Sequence, residues 1–133
     1  MLELPEIVAA GYRHRVTECD SAAQWRNDLP VLATPVLLWL SEVTAMEALA
    51  EYLEEDEMTV GLSHESSHLA ATPVGQEVSL TAALVQRRGN RLVFEVSAHD
   101  GQDEVLRGTH TRAVISRTKF LLRLAEKQKR SAA

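Results

Sequence analysis

Apolar residues recur at helical spacing in one long stretch of the chain, from Thr34 to Leu53. At about 100° per residue, one broad apolar arc forms along this stretch. The arc consists of Leu38, Trp39, Val43, Met46, Leu49, Ala50 and Leu53. Thr34 is typical of an N-cap, and Pro35 suits the first helical position, where no N–H is needed. The pattern therefore predicts one long helix that Thr34 caps.

Glu42 breaks the polar and apolar pattern of this helix. In projection it falls inside the apolar arc, between Leu49 and Leu53, whereas Glu47 and Glu51 lie on the other side. An ionised carboxylate in apolar surroundings is costly unless it is paired or hydrogen-bonded. Two interpretations follow: a structural carboxylate held by a buried arginine or a subunit contact, or a catalytic carboxylate.

The remaining segments alternate apolar and polar residues with the period of two that is typical of strands. Strands are predicted over residues 9–19, 58–64, 76–88, 92–98 and 105–115, with turns at 88–91 and 100–103. Segment 20–30 is polar and is predicted to be a loop or a short helical turn. A basic helix is predicted at about 118–130.

One strand, one long helix and a four-strand meander describe an α+β protein with the hotdog fold. In that fold a curved antiparallel sheet wraps around a long central helix. Such a sheet leaves an edge strand and one helix flank to cover, so dimerisation is expected.

Composition limits the possible functions. The 133 residues fit a single domain over 1–133, and a net charge of −5 argues against nucleic acid as a partner. The single cysteine, Cys19, forms no intrachain disulfide and fits a reducing cytoplasm. The chain shows no signal-peptide pattern and no run of about 18 apolar residues, so no membrane association is expected.

His64-Glu65-Ser66-Ser67-His68 matches the zinc-protease pattern H-E-x-x-H. That pattern binds zinc on a helix, where residues four apart share a face. On the predicted strand, the two imidazoles would lie about 13 Å apart at 3.3 Å per residue. We therefore predict no metal site. His14, His99 and His110 are interpreted as structural.

Thr34, Glu42 and His68 are each ambiguous alone. Together they supply a hydroxyl, a carboxylate and an imidazole, which suffice to activate water or a nucleophile against an acyl carbon. His68 begins a corner of small residues, 68–75, that lets a ligand approach the backbone. Thr34 begins a helix, whose free N–H groups and positive end suit a developing oxyanion.

Several blocks of this sequence resemble the fluoroacetyl-CoA thioesterase type of hotdog enzyme. They are Ala33-Thr34 with Glu42 eight residues on, His68-x-Ala70-Ala71-Thr72-Pro73-x-Gly75, Gly89-Asn90-Arg91-Leu92, Ala98-His99-Asp100-Gly101 and Gly108-Thr109-His110-x-Arg112-Ala113-Val114-Ile115. The similarity runs from about Gly11 to Ile115.

The resemblance implies that Thr34, Glu42 and His68 correspond to the family's catalytic triad. Glu42 would attack the thioester carbonyl or activate water, His68 would act as acid and base or orient the intermediate, and Thr34 would hydrogen-bond to the carboxylate. We expect His68, from the same or the other subunit, to face Glu42. Substrate-binding positions are expected at Trp25, Pro35, Ala70, Ala71, Thr72, Gly75 and Arg112.

The resemblance also implies an acyl-CoA substrate, no separate cofactor, and a homodimer or dimer of dimers with active sites at the subunit interface. Pro35 stands where glycine is more usual, and segment 25–30 lacks the phenylalanines of a fluoroacetyl-selective lid. Another small or medium acyl group is therefore expected.

Two other functions remain open at this stage. The first is a non-catalytic module on the same fold that binds acyl-CoA or another small ligand, because a fold does not determine a function. The second, weaker option is a hotdog dehydratase.

Overall fold

The computed structural model describes residues 1–132, so Ala133 of the predicted domain lies outside the described residues. The main elements are β1 Ala9–Arg15, α1 Thr34–Leu49, β2 Glu57–His68, β3 Glu77–Arg88, β4 Arg91–His99, β5 Glu104–Ser116 and α2 Arg117–Ala132. Short 3-10 turns occupy Glu18–Asp20, Ala22–Trp25 and Ala50–Tyr52. The predicted order of one strand, one helix, four strands and a terminal helix is confirmed.

The five strands form one antiparallel sheet in the order β1-β3-β4-β5-β2. A core of aliphatic side chains and Phe94 lies between the sheet and α1. The helix packs mainly against β1 and β3. The hotdog architecture is therefore confirmed, but α1 lies to one side of the sheet and is less central than predicted.

The start of α1 differs from the prediction by one residue. Ala33, with φ −71° and ψ 140°, is the N-cap, and Thr34 is the first helical residue. Pro35 then takes the second helical position, whose N–H also has no acceptor within the helix. The Thr34 hydroxyl is therefore available for another partner.

The buried face of α1 also differs from the prediction. It consists of Leu37, Leu40, Ser41, Thr44, Ala45, Ala48 and Leu49. Of the predicted apolar arc only Leu49 is fully buried, while Trp39 is 56% and Met46 45% exposed. The helix carries apolar residues on both faces, so periodicity alone does not reveal which face meets the sheet.

We call the outward-facing part of that arc the α1 strip. It consists of Trp39, Val43, Met46, Ala50 and Leu53, all of which are exposed or half-buried. Glu42 lies at the border between the α1 strip and the buried face, and its side chain is 30% exposed. Glu42 therefore lies at the edge of the core.

The strands differ from the prediction mainly at their ends. β1 stops at Arg15, and β2 continues to His68, so His68 is the last residue of a strand. Helix α2 begins at Arg117 and has no buried residue within its described part. Among residues 1–132, neither helix is long and apolar enough to cross a membrane.

Candidate active site

The start of α1 and the end of β2 bring Thr34 and His68 together. Thr34 Oγ1 and His68 Nδ1 are hydrogen-bonded at 2.7 Å. Both residues line a cavity of about 540 Å³. Four of the predicted substrate-binding residues line the same cavity, namely Trp25, Pro35, Ala70 and Ala71. The hydroxyl and the imidazole of the predicted triad therefore share the wall of one cavity.

The His68 ring is half-buried. Burial lowers the pKa of His68, and a hydrogen bond with the backbone of Ala70 opposes this effect. His68 Nε2 is buried and has no hydrogen-bond partner among the described residues. A buried nitrogen without a partner is unusual in a finished core and is typical of a site that awaits a ligand. The lowered pKa of His68 favours its neutral imidazole form.

Glu42 belongs to a different cluster within the chain. Its Oε1 accepts a hydrogen bond from Arg112 Nη1 at 2.8 Å and lies 3.7 Å from His110 Nε2. Its Oε2 lies 3.6 Å from His64 Nε2. The expected contact with His68 is therefore not made within one protomer. Glu42 is eight residues beyond Thr34, which corresponds to about 12 Å along the helix.

Arg112 is held rigidly. Its Nε donates to Thr59 Oγ1 at 2.9 Å, and its Nη2 donates to the Thr59 carbonyl at 3.1 Å. The side chain is only 3% exposed. Burial lowers the pKa of Arg112, whereas the bond to Glu42 raises it. Arg112 was predicted to bind substrate, but its guanidinium bonds to protein groups and orients the Glu42 carboxylate.

Glu42 has features of both interpretations, the structural carboxylate and the catalytic carboxylate. The carboxylate does pair with an arginine, as the structural interpretation expects. It is not sealed in the core, because nearly a third of its side chain is exposed. An oriented, ion-paired carboxylate that solvent or substrate can still reach is suited to catalysis.

His110 and His64 were interpreted without a catalytic role, yet both lie beside Glu42. The pairing of β2 with β5 places them opposite each other, and their rings stack at 4.0 Å. His110 Nδ1 donates to the Ser63 carbonyl at 2.9 Å, so its Nε2 is the acceptor for Arg112 Nη1 at 3.1 Å. Burial, and then the neighbouring His64, lower the pKa of His110. Strand register brings these residues together, and their spacing in the sequence does not reveal it.

Glu42, His64 and His110 offer a carboxylate and two imidazoles within 4.8 Å of one another. Such a donor set is common at zinc sites. Arg112 Nη1, however, bonds to both Glu42 Oε1 and His110 Nε2. A metal ion between these atoms would have to share the space with a fixed positive charge. The geometry therefore favours an ion-paired carboxylate over a metal centre.

Two other predicted substrate-binding residues have structural roles at the corner after β2. Thr72 is fully buried, and its hydroxyl donates to Asp100 Oδ2 at 3.0 Å. Gly75 adopts a φ of +97°, which favours glycine, and its N–H donates to the Val16 carbonyl at 2.8 Å. They shape the corner that presents Ala70 and Ala71 to the cavity.

The chain matches known proteins over most of its length. The family model described as FlK, fluoroacetyl-CoA-specific thioesterase, matches residues 16–118. A curated fluoroacetyl-CoA thioesterase from Streptantibioticus cattleyicolor is 41% identical over 115 residues, which are 86% of this chain and 81% of that protein.

Solved structures agree with this match. A threonine-to-serine variant of FlK in complex with acetyl-CoA superposes with a TM-score of 0.85 at 34% identity, covering 90% of this chain and 95% of that one. A Thermus thermophilus hypothetical protein of the thioesterase superfamily reaches 0.91 at 24% identity, covering 99% and 98%, and supports the fold alone. Since the family model and the curated relative both cover most of the sequence, this chain belongs to the fluoroacetyl-CoA-specific thioesterase family.

Proposed function

We propose that this protein is a thioesterase that hydrolyses a small or medium acyl-CoA to the carboxylate and free CoA. The observation that carries the proposal is the Thr34–His68 pair on the wall of a cavity, with Glu42 farther along the same helix. A curated relative is named as a fluoroacetyl-CoA thioesterase, and an FlK variant has been solved with acetyl-CoA. A location in the cytoplasm is part of the same proposal.

A homodimer completes the proposed site. β2 is a twelve-residue edge strand whose outer side has no neighbour in the described sheet. Natural proteins rarely leave so long an edge uncovered. The exposed Leu62 of β2, together with Trp39 and Met46 of the α1 strip, adds apolar surface. A second copy of the chain that pairs along β2 covers both features.

We propose a register for that pairing in which Glu42 meets the Thr34–His68 pair of the other subunit. Its carboxylate lies directly against Gly61 of β2. In an antiparallel pair related by a two-fold axis between residues 64 and 65, Gly61 lies opposite the partner's His68. This register joins Glu42 of one subunit to the Thr34–His68 pair of the other. Each dimer then has two composite sites.

The proposed reaction uses these groups without a resident cofactor. In one route Glu42 takes a proton from water as the water oxygen bonds to the thioester carbon. In the other route the Glu42 oxygen bonds to that carbon, and water cleaves the resulting anhydride. In both routes the C–S bond breaks, and the CoA thiolate leaves and takes up a proton. The free N–H groups at the start of α1 stabilise the carbonyl oxygen, although Pro35 supplies none.

A panel of acyl-CoA esters tests the function. Purified protein is mixed with acetyl-, fluoroacetyl-, butyryl-, hexanoyl- and benzoyl-CoA and a thiol reagent that reports free CoA. Hydrolysis of at least one ester above the rate without protein is expected, with fluoroacetyl-CoA not preferred. Tight binding of these esters with no turnover would contradict hydrolysis and support a binding module.

The pH dependence should reflect the lowered pKa of His68. Because the neutral imidazole persists below the ordinary histidine value of about 6.5, kcat/KM is expected to decline only below that pH. The unfolded chain binds a proton at this residue more readily, so stability is also lost as the pH falls below about 6.5. Rate profiles and urea unfolding across this range measure both effects. If kcat/KM instead declined with a midpoint above pH 6.5, the proposed role of the neutral His68 imidazole would be contradicted.

Gly61→Ala is expected to displace the carboxylate without unfolding the chain. A Cβ at this position would overlap Glu42 Oε1, so the carboxylate would have to move out of its hydrogen bond with Arg112 Nη1. We expect kcat to fall by about 10-fold or more, because small misplacements of reacting groups are costly. Gly11→Ala is the matched control, since its Cβ would meet only the Leu80 carbonyl at 3.6 Å. Steady-state kinetics give kcat for both variants, and urea unfolding midpoints show that both are folded. Equal kcat values in the two variants would refute the prediction.

A further inference from the structure

Within residues 1–132, the His64 side chain makes no hydrogen bond that accounts for its location. It lies on β2 with its ring against that of His110, and both rings are nearly parallel, with 13° between their planes. His64 Nδ1 is buried and makes no hydrogen bond within the part of the chain that the structure describes. Its Nε2 faces Glu42 Oε2 at 3.6 Å. The zinc interpretation of the H-E-x-x-H pattern does not explain this arrangement, because the pattern lies on a strand.

The two oxygens of Glu42 are held unequally. Oε1 is fixed by Arg112 Nη1 at 2.8 Å, and that guanidinium is itself fixed by Thr59. Oε2 makes no hydrogen bond within residues 1–132, and His64 Nε2 lies 3.6 Å from it. A carboxylate held at one oxygen still rotates about its terminal bond, whereas two-point contact fixes its plane.

The protonation states around Glu42 favour a donor at His64 Nε2. His110 presents Nε2 as an acceptor, because its Nδ1 donates to the Ser63 carbonyl. The groups that face His64 are Glu42 on α1 and His110 on β5, and Arg112 on β5 bonds to both of them. Because His110 Nε2 already accepts from Arg112 Nη1, Glu42 Oε2 is the acceptor that faces an Nε2–H tautomer of His64.

We propose that His64 is a positioning residue of the site: its Nε2–H closes onto Glu42 Oε2 and, with Arg112 on Oε1, fixes the plane of the reacting carboxylate. This inference rests on the proposed function, and it adds a residue outside the Thr34, Glu42 and His68 triad. The closure needs only a small movement, since 3.6 Å exceeds the usual hydrogen-bond length by well under 1 Å. His64 touches Glu42 and not the reacting thioester.

Three variants test the effect on turnover. His64→Leu removes the donor and is expected to lower kcat by about 10-fold while KM changes by less than about 2-fold, because the carboxylate loses orientation and the cavity is untouched. His64→Gln keeps an N–H near the position of Nε2 and is expected to recover most of kcat. Glu95→Gln, an exposed change on β4, which β5 separates from β2, is the control and is expected to match the parent. Equal kcat in the His64→Leu variant and the parent, or a loss that His64→Gln does not relieve, overturns the proposal.

A second measurement is independent of turnover. Long-range ¹H–¹⁵N correlation spectra of the parent protein, assigned with the His64→Gln variant, show which ring nitrogen of His64 carries the proton. The Nε2–H tautomer is expected, and the Nδ1–H tautomer overturns the proposal. If the parent hydrolyses no acyl-CoA, the proposed function fails. The tautomer measurement then still shows whether His64 Nε2–H donates to Glu42.

Discussion

Glu42→Gln is expected to lower kcat by about 10²- to 10⁴-fold, the usual contribution of a general base or carboxylate nucleophile. The amide oxygen can still accept from Arg112 Nη1, so the hydrogen bond that Oε1 makes at 2.8 Å is preserved in form while the charge is lost. The amide neither takes a proton from water nor attacks a thioester. The change therefore removes the basic and nucleophilic carboxylate and keeps the size and shape of the side chain.

Glu47→Gln is the matched control for this variant. Glu47 lies on the same helix, is exposed, and carries the same charge. Steady-state rates with the preferred acyl-CoA, together with thermal unfolding curves, are expected to show parental values for Glu47→Gln. If Glu42→Gln hydrolyses the substrate as fast as the control, the carboxylate is structural, and Arg112 then serves only to pair it.

Mixing two inactive variants is expected to restore activity. If each site combines Glu42 of one subunit with His68 of the other, a heterodimer of Glu42→Gln and His68→Asn chains contains one intact site. Random reassortment of equal amounts gives half heterodimers, so about a quarter of the parental activity should return. A site contained within one chain leaves every site defective, and no activity returns.

The mixing experiment requires that subunits exchange between dimers. An affinity tag on one variant shows this exchange when the untagged variant is purified together with it. Each variant alone supplies the baseline, and both are first shown to fold by circular dichroism. A mixture of Glu42→Gln with Thr34→Ala chains is expected to recover in the same way, because Thr34 and His68 are hydrogen-bonded to each other. A mixture of Thr34→Ala with His68→Asn chains is expected to stay inactive, since both changes affect the same half of the site. Recovery in that last mixture would contradict the proposed pairing.

The order of elements could be predicted from the sequence, because it depends on local signals. The assignment of Thr34, Glu42 and His68 as a triad rests on the family resemblance and stays a prediction. Alternation identified the strands, and Glu42 was conspicuous among apolar neighbours. The buried face of α1 could not be predicted, since Trp39 and Met46 are as apolar as the residues that meet the sheet. One helix with two apolar faces gives no periodic signal that separates core from interface.

The residues that surround Glu42 also could not be predicted from the sequence. His64 and His110 become neighbours only through the register of β2 on β5, which shifts between Gly61 and Ser63. A shift of one residue reverses the face on which a side chain lies. The arginine that meets Glu42 comes from the last strand, 70 residues away in sequence. Such long-range pairs are set by tertiary packing, and a local pattern carries little information about them.

The separation between the cavity wall and the carboxylate cluster has a consequence for how such an enzyme can change. Trp25, Ala70 and Ala71 line the cavity, whereas Arg112, itself held by Thr59, bonds to the Glu42 carboxylate from another part of the sheet. Substitutions at the wall can alter which acyl group fits without removing the bonds that orient Glu42, because none of these wall side chains shares a hydrogen-bond partner with Arg112 or Glu42. The cavity can therefore diversify over evolution, or be redesigned, while the charged cluster is left intact.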